Sequence, residues 1–484
     1  MRVLLASSEC FPYSKTGGLA DMVGALGKAL GADEHEVHIV TPLYSGIREK
    51  HAGLRREELE INVQLGARIV SGRVWSVEPA RNVKVLFIEQ REFYERPALY
   101  GEGGWDYPDN AARFIFFSHC VAYLARVLPH RPEVVHVHDW QVGLVPVLIR
   151  HQALITGWQH PPATVLTIHN LAYQGVFPFS EYPLTNLPNE YFTTDGLEFY
   201  LRMNCLKGGI VYADMITTVS PRYAREITTE QYGCGLDGVL RARQERLVGI
   251  LNGVDYSEWN TEQNKFLKHT YSAERLEGKA TQKRALQEEM GLPVDAETPL
   301  FATISRLAEQ KGIDILISAL EEMLSSKMQF VLLGSGDPVF ERGFRALAER
   351  YPEKVAVKIG YDHGLSHRIE AGADFFLMPS RFEPCGLNQM YSLRYGTIPI
   401  VRVTGGLDDS VTDISEDVDT ADGIKFTEYS ARALGKAIRK ALVLFEDKAL
   451  LEHYRRNAMS VDFSWEHCTH EYEDVFRRAI ELRS

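Results

Sequence analysis

Short apolar runs alternate with segments of helical spacing along most of the chain, and this alternation constrains the fold more than any other feature. Runs such as "RVLLAS", "VHIVTP", "VKVLFIE" and "ATVLTIHN" are apolar at consecutive positions rather than at every second position. Strands of that kind are buried on both faces, as in a parallel sheet covered by helices on either side. The sequence therefore predicts α/β units with parallel sheets.

The alternation is interrupted once, by a polar and charged stretch near residues 257–298. Strand-like runs then resume with "LFATISRL", "QFVLLGSGD", "VAVKIGYD", "DFFLMPS" and "IPIVRVTGG". A chain of 484 residues is long enough for two or three domains. We therefore predict two doubly wound α/β domains that join near residues 250–260. Such domains would place an active site in the cleft between them, at the carboxyl ends of the strands.

Charge and cysteine content limit the partners and the compartment. A net charge of −12 and a pI near 5.8 argue against a nucleic-acid partner, which would require a basic surface. No apolar run approaches the roughly 18–20 residues that span a bilayer, and the N-terminus lacks the pattern of a signal peptide. The six cysteines are scattered without C-x-x-C pairs. These features predict reduced thiols in a cytoplasmic protein that binds no membrane.

Two glycine turns are candidates for binding phosphate. Lys15, Gly17 and Gly18 lie between a predicted strand and a helix, where glycine permits close backbone approach and the helix N-terminus attracts an anion. An ordinary glycine turn with an exposed lysine explains this short motif equally well. A second turn, Gly405-Gly406 in "VTGGLDDSV", follows the run "IPIVRV". Two such turns could approach one diphosphate from opposite sides.

Charged residues in the second half suggest chemistry on a phosphorylated sugar. Arg306 and Lys311 flank a strand–helix turn in "SRLAEQKG", where they could neutralise a departing pyrophosphate, although a solvated basic turn is commoner. Glu383 could bind substrate hydroxyls or simply stabilise the start of a helix. The Cys385 thiol has no histidine nearby in sequence and is predicted to pack rather than react. Backbone amides of the same loop are predicted to bind an anion or a sugar: Cys385, Gly386 and Leu387.

Histidines follow two predicted strands of the first half. His136 and His138 in "VVHVHDW" point to one face of a strand, a spacing that also suits a metal site, but further ligands are not evident. Polar side chains at the end of a strand, with Asp139 at a helix N-terminus, are the simpler interpretation. His169 ends "TVLTIHN" in the same way and could donate to a sugar hydroxyl.

Two charge-rich stretches are predicted to be solvated. Asp417 and Asp419 form a D-x-D pair, a motif that can hold a metal–diphosphate. They lie in the acidic loop "SEDVDTADG", with no strand ending on it, so a solvated loop is the simpler interpretation. The stretch "REKHAGLRREELE", residues 48–60, is likewise interpreted as a solvated face.

Taken together, the motifs resemble those of one known family over nearly the whole chain. "KTGGLADMVGALGKAL", "HVHDWQVGLVP", "TIHNLAYQG", "GILNGVD", "ISRLAEQKGID", "SRFEPCGLNQMYSLRYGTIP" and "TGGLDDSV" occur in its order and spacing. This family is the bacterial and plant type of glycogen and starch synthases, glycosyltransferase family five. The resemblance implies the GT-B architecture of two Rossmann-like domains with an interdomain cleft, residues 1–250 joined by a C-terminal helix at 462–484, and residues 251–461.

The resemblance also implies the reaction. Members transfer glucose from ADP-glucose to the non-reducing end of an α-1,4-glucan such as glycogen, retain the α configuration, and need neither a metal nor a cofactor. Its catalytic positions fall on Glu383, Arg306, Lys311 and His169 of this sequence. Its substrate-binding positions fall on Lys15, Gly17, Gly18, Asp21, Asp139, Asn252, Tyr361, Cys385, Gly386, Leu387, Gly405 and Gly406.

Three positions depart from the broader pattern. Tyr391, eight residues after Glu383, occupies the place of a second glutamate in the wider retaining signature, which argues against a two-carboxylate mechanism. Asn388 stands where threonine is frequent, and Asp408 adds a negative charge beside the second glycine turn.

Other functions remain open at this point. One is another retaining glucosyltransferase of the same fold that uses UDP-glucose, including sucrose- or trehalose-type enzymes. A second is a glucan phosphorylase, for which the chain is short and lacks a recognisable pyridoxal-lysine context. A third is a catalytically silent glucan-binding protein, against which the intact basic and acidic positions argue.

Overall fold

The computed structural model describes residues 1–483 and divides the chain into two compact units. The first unit comprises Met1–Val219, Ala224–Gly253 and the residues from Trp465 onward. The second unit comprises Ser220–Tyr223 and Val254–Ser464. None of the helices within residues 1–483 has the length and apolar character required to cross a membrane.

The first unit is organised around a nine-stranded sheet. The parallel strands that occupy its middle follow the order third, second, first, fourth, fifth, sixth, which is a doubly wound arrangement. The strands of this unit are β1 (Arg2–Ala6), β2 (Glu36–Pro42), β3 (Arg55–Leu65), β4 (Arg68–Ala80), β5 (Val83–Glu89), β6 (Gly101–Glu102), β7 (Trp105–Asp106), β8 (Val134–His138), β9 (Ala163–Ile168), β10 (Val176–Pro178), β11 (Glu198–Phe199), β12 (Arg202–Asn204), β13 (Met215–Thr218) and β14 (Leu247–Gly249). Across the sheet they run β14-β13-β9-β8-β1-β2-β5-β4-β3, while β10-β12-β11 and β6-β7 form small separate sheets.

Helices and 3₁₀ turns connect these strands. The α-helices up to Gly253 are α1 (Gly18–Ala32), α2 (Ile47–Lys50), α3 (Arg91–Tyr94), α4 (Asn110–Val127), α5 (Val145–Thr156), α6 (Cys205–Tyr212), α7 (Pro221–Glu226) and α8 (Asp237–Ala242). The 3₁₀ turns in this part are Trp140–Val142, Phe179–Thr185, Asn189–Tyr191 and Gln244–Arg246. In α4, consecutive residues such as Phe114 to Phe117 are buried, since the helix is packed on several sides.

The second unit has a six-stranded, wholly parallel sheet in the order β17-β16-β15-β18-β19-β20. Its strands are β15 (Leu300–Leu307), β16 (Gln329–Gly336), β17 (Val355–Ile359), β18 (Phe375–Met378), β19 (Ile398–Arg402) and β20 (Ile424–Phe426). Its helices are α9 (Glu277–Glu289), α10 (Ile313–Met323), α11 (Pro338–Arg350), α12 (His363–Gly372), α13 (Asn388–Arg394), α14 (Gly405–Ser410), α15 (Ala431–Glu446) and α16 (Lys448–Ser460), with a 3₁₀ turn at Glu309–Lys311. This order is again third, second, first, fourth, fifth, sixth.

The core of the second unit is built from apolar residues that recur at helical spacing or occupy consecutive strand positions. Helix α10 buries Ile313, Leu316, Leu320 and Met323, which recur at the helical spacing of three and four residues. The first four residues of β15 and all four residues of β18 are buried, so both faces of these strands are covered. The apolar side chains of both sets belong to one continuous hydrophobic cluster. The prediction of doubly wound α/β units with parallel sheets is confirmed.

The last helix, α17 (Trp465–Arg483), packs within the first unit. It contacts α1 and the strands β8, β9 and β13. Gly253 lies against its first residue, since a Cβ at Gly253 would stand 2.6 Å from the Trp465 ring. An ion pair between Arg483 and Asp214, at 3.6 Å, adds a contact near its end.

One part of the first sheet differs from the expectation. Strands β3 and β4 pair antiparallel at its edge, and β4 pairs antiparallel with β5. The charged stretch at residues 48–60 therefore contains the beginning of an edge strand. None of its residues is buried, so the prediction of a solvated face is confirmed. Buried and exposed residues alternate along the second half of β3, because one face of an edge strand can face water.

A buried charge cluster gives a stability prediction for the second unit. The Asp374 carboxylate lies 2.7 Å from both Lys283 Nζ and Arg455 Nη2, and it accepts a hydrogen bond from the Leu300 N–H at 2.9 Å. We expect Asp374→Asn to lower the free energy of unfolding by about 3–5 kcal/mol, because the buried Lys283 and the partly buried Arg455 lose their anion. Midpoints of urea unfolding measure this loss. Glu322→Gln, which breaks the exposed Arg439 pair, is the control and should cost at most about 1 kcal/mol.

The same cluster predicts a pH dependence. Burial alone raises the pKa of Asp374, but Lys283 and Arg455 outweigh it and hold this pKa below its ordinary value. A depressed folded-state pKa stabilises the protein above the pKa of the unfolded chain, about 3.9, and this contribution is lost as the pH falls below it. The difference between the wild type and Asp374→Asn should therefore shrink on acidification; a difference that stays constant to pH 3 would contradict the assignment.

Candidate active site

The loop that follows β1 is held by a buried carboxylate. Glu9 accepts hydrogen bonds from the backbone N–H of Thr16, from its hydroxyl at 2.5 Å and from the Tyr100 hydroxyl at 2.6 Å. Because Glu9, near the start of the loop, binds Thr16, near its end, the turn that begins α1 has a fixed position. Glu9 was not among the predicted site residues; its only signal in the sequence is a carboxylate three residues after a buried strand.

Lys15 and Asp21 form an ion pair in this loop. Lys15 Nζ lies 2.7 Å and 2.8 Å from the two carboxylate oxygens of Asp21, which is in the first turn of α1. Both side chains remain partly exposed to solvent. Gly17 precedes Gly18, the first residue of α1, in an extended conformation, and a Cβ at Gly17 would meet no atom within 4 Å. Packing within the protein therefore does not explain the glycine at position 17.

Asp139 fixes the end of β9 from the end of the neighbouring strand β8. Its backbone adopts φ = +62°, uncommon for a residue with a side chain. Its N–H donates to the Thr167 carbonyl at 2.9 Å, and its carboxylate accepts the backbone N–H of His169 at 2.7 Å. Burial raises the pKa of Asp139 to about 7, although hydrogen bonds from the His169 and Asn170 amides oppose this rise. Asp139 caps a 3₁₀ turn rather than an α-helix.

The histidines at these strand ends form a hydrogen-bonded row. His138 Nδ1 lies 3.1 Å from His169 Nε2, and His136 Nε2 lies 2.6 Å from the Thr167 hydroxyl. The rings of His136 and His138 are 4.2 Å apart, as their predicted position on one face requires. Burial lowers the pKa of His169 to about 3. His169 is therefore neutral at pH 7 and can offer a hydrogen bond without adding charge.

Asn252 lies beyond β14 and is buried. Its side-chain oxygen has no hydrogen-bond partner among residues 1–483. A buried amide oxygen without a partner is unfavourable by about 1–3 kcal/mol, so it is suited to accept a hydrogen bond from a ligand.

In the second unit, Lys311 and Glu383 form a close ion pair. Lys311 ends the 3₁₀ turn after β15, and Glu383 follows β18, the adjacent strand at which the winding of the sheet reverses. Lys311 Nζ lies 2.6 Å from Glu383 Oε2, which also accepts the Ser380 hydroxyl at 3.0 Å. Glu383 is buried, whereas Arg306, at the end of β15, is exposed with Nη2 3.4 Å from Gln310. Such a reversal is where doubly wound sheets bind ligands.

The second glycine turn packs directly against the Glu383 loop. The Gly406 N–H donates to the Glu383 carbonyl at 3.1 Å. A Cβ at Gly405, where φ is +45°, would stand 1.9 Å from that carbonyl, and a Cβ at Gly406 would stand 2.2 Å from the Cys385 carbonyl. Both glycines are therefore required by the approach of two backbones. The structure brings this predicted phosphate turn next to Glu383.

The remainder of the Glu383 loop is built for packing and for a turn. Cys385 is buried, Gly386 has φ = +74°, and Leu387 precedes α13. The side-chain amide of Asn388 donates to the Ile304 carbonyl at 2.6 Å, so this departure from the family pattern ties α13 to β15. Tyr391 stacks on Trp259, with ring centroids 3.7 Å apart and planes 2° apart.

Tyr361 follows β17 and is 75% exposed, which leaves an aromatic face accessible at the same edge of the sheet. Its hydroxyl lies 3.1 Å from His363 Nδ1. An exposed aromatic ring at the carboxyl edge of a parallel sheet is suited to stack on a nucleotide base.

Asp408 does not leave an unbalanced negative charge beside the glycine turn. Arg222 Nη1 lies 2.6 Å and Lys425 Nζ 3.0 Å from its carboxylate. Burial alone raises the pKa of Asp408, but these two cations outweigh it and lower the pKa.

Asp417 and Asp419 are exposed, and Asp417 accepts the Asp419 N–H at 2.9 Å, so the D-x-D pair forms a solvated turn.

Each unit thus places polar groups at the carboxyl edge of a doubly wound sheet. The first unit unites Asp139 with His169 and Lys15 with Asp21, and the second unites Lys311, Glu383 and the Gly405 turn. Basic side chains, glycine turns and a buried carboxylate are the groups that bind a diphosphate and a hexose. The fold and these groups define a glycosyltransferase that acts on a nucleotide sugar.

Comparisons with known proteins identify the family. A model described as starch synthase catalytic domain matches residues 2–242, and one described as glycosyl transferases group 1 matches residues 287–460. Glycogen synthases of Koribacter versatilis and Myxococcus xanthus are 44% and 47% identical, with at least 99% of both chains covered in each case. The chain belongs to the glycogen and starch synthase family.

Solved structures agree with this assignment. The catalytic domain of starch synthase IV from Arabidopsis thaliana, bound to ADP and acarbose, is 33% identical with a TM-score of 0.90, and 99% of each chain is covered. Sucrose-phosphate synthase from Thermosynechococcus elongatus shares the fold, with a TM-score of 0.61 at 17% identity and 98% coverage of each chain.

Replacing glycine by alanine should destabilise the protein at the second glycine turn but not at the first. Gly405→Ala should lower the free energy of unfolding by at least about 2 kcal/mol, since its Cβ would overlap the Glu383 carbonyl and its φ disfavours a side chain. Gly17→Ala is the matched variant and should change the unfolding free energy by no more than about 0.5 kcal/mol. Urea unfolding of both variants measures the difference, and equal losses would show that the turns are packed alike.

Proposed function

We propose that this chain transfers glucose from ADP-glucose to the non-reducing end of an α-1,4-glucan, such as glycogen, with retention of configuration. The observation that carries the proposal is the Lys311–Glu383 pair, at 2.6 Å, beside the Gly405 turn and Arg306 at the winding reversal of the second sheet. Relatives named glycogen synthase match over the full length, and the starch synthase IV domain was bound to ADP, which supports this choice of donor and acceptor.

The basic groups act on the leaving diphosphate. Negative charge grows on the departing ADP as the glycosidic bond breaks, so a guanidinium and an ammonium held there stabilise the transition state more than the ground state. Arg306 and Lys311 take this role, and the backbone of Gly405 and Gly406 approaches the phosphates. The exposed position of Arg306 leaves its planar guanidinium available for bidentate contact with phosphate oxygens.

The carboxylate and the histidine act on the hexose. Glu383 is oriented by Lys311 and Ser380, so its second oxygen can accept a glucose hydroxyl and stabilise positive charge on the sugar ring. His169 is neutral and is oriented by Asp139 through its backbone amide, so it can donate to another hydroxyl. The peptide groups of Cys385, Gly386 and Leu387 supply further contacts.

A second carboxylate is not part of the proposed mechanism. Tyr391 occupies the position of the second glutamate, and its ring is stacked on Trp259. The acceptor hydroxyl therefore approaches the same face of the sugar and passes its proton to the leaving phosphate, whose basicity rises as the bond to glucose breaks. This route retains the configuration without a covalent enzyme intermediate.

Residues of the first unit and Tyr361 complete the proposed donor contacts. Lys15, with Asp21, offers an ammonium next to the exposed residues Gly17 and Gly18, where a phosphate can approach the backbone closely. Asn252 offers an unpaired buried oxygen for the nucleoside, and the exposed Tyr361 ring can stack on adenine. We also propose a cytoplasmic location, which is supported by the absence of disulfide bonds among the six cysteines within residues 1–483.

The proposed charge role predicts a large kinetic effect at Arg306. Arg306→Ala should reduce kcat by about 10²–10³-fold, equivalent to about 3–4 kcal/mol, with little change in unfolding midpoint because the side chain is exposed. Arg439→Ala, which removes another exposed arginine of the second unit, is the control and should keep near-normal kcat. Glucose incorporation into glycogen is the assay. Normal turnover by Arg306→Ala would remove the guanidinium from the mechanism.

Donor choice separates the proposal from its alternatives. We expect a higher kcat/KM with ADP-glucose than with UDP-glucose on glycogen, and kcat should persist in EDTA. A preference for UDP-glucose, or transfer to small sugars instead of glucan, would favour another retaining glucosyltransferase of this fold. Absence of incorporation from either donor would favour a glucan-binding protein.

A further inference from the structure

Two histidines and a carboxylate of the second unit converge beside Tyr361. His363 and His367 are four residues apart on α12 and therefore lie on the same helix face. Glu258 Oε1 lies 2.9 Å from His363 Nε2. One nitrogen or oxygen atom of each of the three side chains lies within 4.8 Å of the other two. The three ligand atoms are close enough to bind one ion after small side-chain rotations.

Outer hydrogen bonds orient both imidazoles through Nδ1. His363 Nδ1 lies 3.1 Å from the Tyr361 hydroxyl, and His367 Nδ1 lies 2.8 Å from the Tyr395 hydroxyl. Metal-binding histidines are held in this way, with one ring nitrogen fixed by a neighbour and the other left for the ion. The arrangement therefore directs the Nε2 atoms to ligand binding.

A second polar side chain also contacts His367 Nδ1. The side-chain nitrogen of Asn264 lies 3.0 Å from this atom, in addition to the Tyr395 hydroxyl at 2.8 Å. Nδ1 is therefore occupied by contacts within the protein, and Nε2 is the ring nitrogen left for a ligand.

His367 is the strongest sign of a ligand. Its side chain is 0% exposed, and its Nε2 has no hydrogen-bond partner within residues 1–483. A buried nitrogen left unpaired is unfavourable by about 1–3 kcal/mol.

We propose that Glu258, His363 and His367 bind a divalent ion of the zinc class. Two imidazoles and one carboxylate are a common zinc ligand set, and water can fill the remaining positions because Glu258 and His363 are 36% and 37% exposed. Trp259 stacks on His367 at 4.1 Å, which holds that ring in place next to Glu258. The ion contacts none of the groups assigned to glucose transfer.

The ion also has a consequence for Tyr361, which rests on the proposed function. An ion on His363 Nε2 leaves Nδ1 protonated, so this nitrogen donates to the Tyr361 hydroxyl and holds the ring proposed to stack on adenine. Zinc should therefore tighten ADP binding without entering the reaction. Tyr361→Phe removes the hydroxyl and should abolish this effect while keeping the aromatic face.

Calorimetric titration of zinc chloride into the chelator-stripped full chain at pH 7.5 tests the site. Cys234→Ser serves as the background, since Cys234 is the exposed thiol. We expect one zinc per chain. Glu258→Gln and His363→Ala should each weaken binding by more than the roughly 10–100-fold that loss of an outer-shell partner costs. Both variants alter partly exposed side chains and should remain folded, which their unfolding midpoints will check.

His130 provides the matched control. It forms a similar pair with Glu36, at 2.9 Å, but both side chains are more exposed than those of the proposed site. His130→Ala should leave zinc affinity unchanged. Absence of stoichiometric zinc binding, or equal affinity in His363→Ala and His130→Ala, would overturn the site. Cobalt(II) absorption gives a second measurement, with ligand-field bands expected in the wild type and lost in His363→Ala.

ADP titration with and without zinc separates this inference from the proposed function. Tighter ADP binding in zinc, absent in Tyr361→Phe, supports the coupling. Zinc binding with unchanged ADP affinity would refute the coupling. Failure of ADP to bind under either condition would refute the proposed function, while the zinc stoichiometry and its dependence on His363 would still decide the metal site.

Discussion

Reversal of the winding at the middle of each sheet is the constraint on which the candidate site depends. In a doubly wound sheet, the connections after the first and fourth strands leave in opposite directions, so their ends diverge above the edge of the sheet. In the second unit these strands are β15 and β18, which are adjacent. Lys311 and Glu383, 72 positions apart in sequence, meet there because parallel neighbours end at the same edge. The strand order alone would bring these loops together.

Two buried carboxylates of the second unit, Asp374 and Glu383, both pair with cations but differ in how much hydrogen-bonding capacity they have left. Asp374 pairs with Lys283 and Arg455 and also accepts a backbone N–H, so its hydrogen-bonding capacity is used within the protein. Glu383 pairs with Lys311 and Ser380 through the same oxygen, Oε2, which leaves Oε1 for another donor. Taking charges out of water is costly, so a buried pair is a weak source of stability. This is consistent with our proposal that the Lys311–Glu383 pair at the sheet edge serves a ligand.

Features encoded locally were predictable from sequence, and features created by tertiary contact were not. Consecutive apolar residues predicted the buried strands, and the polar residues that follow them marked the edge at which Arg306, His169 and Glu383 lie. The antiparallel edge pair was missed because its alternation is short and is mixed with charged residues. The positions of Glu9 and of the Gly405 turn depend on contacts with other loops, and no local sequence pattern predicts such contacts.

Asp408 shows why a residue beside a predicted phosphate-binding turn cannot be judged from its charge alone. In sequence it appears to repel a diphosphate, but its carboxylate is balanced by Arg222 and Lys425. The Asp409 carboxylate also accepts the Arg222 N–H at 2.6 Å, so the pair of aspartates holds residues 220–223, a short segment that belongs to the second unit. Because the cations that neutralise Asp408 are themselves fixed, the local field at the turn is set by the whole cluster. Removing Arg222 would leave Asp408 with Lys425 alone, and Lys425 also pairs with Glu416 at 2.8 Å, so the negative charge beside the glycine turn would be only partly balanced.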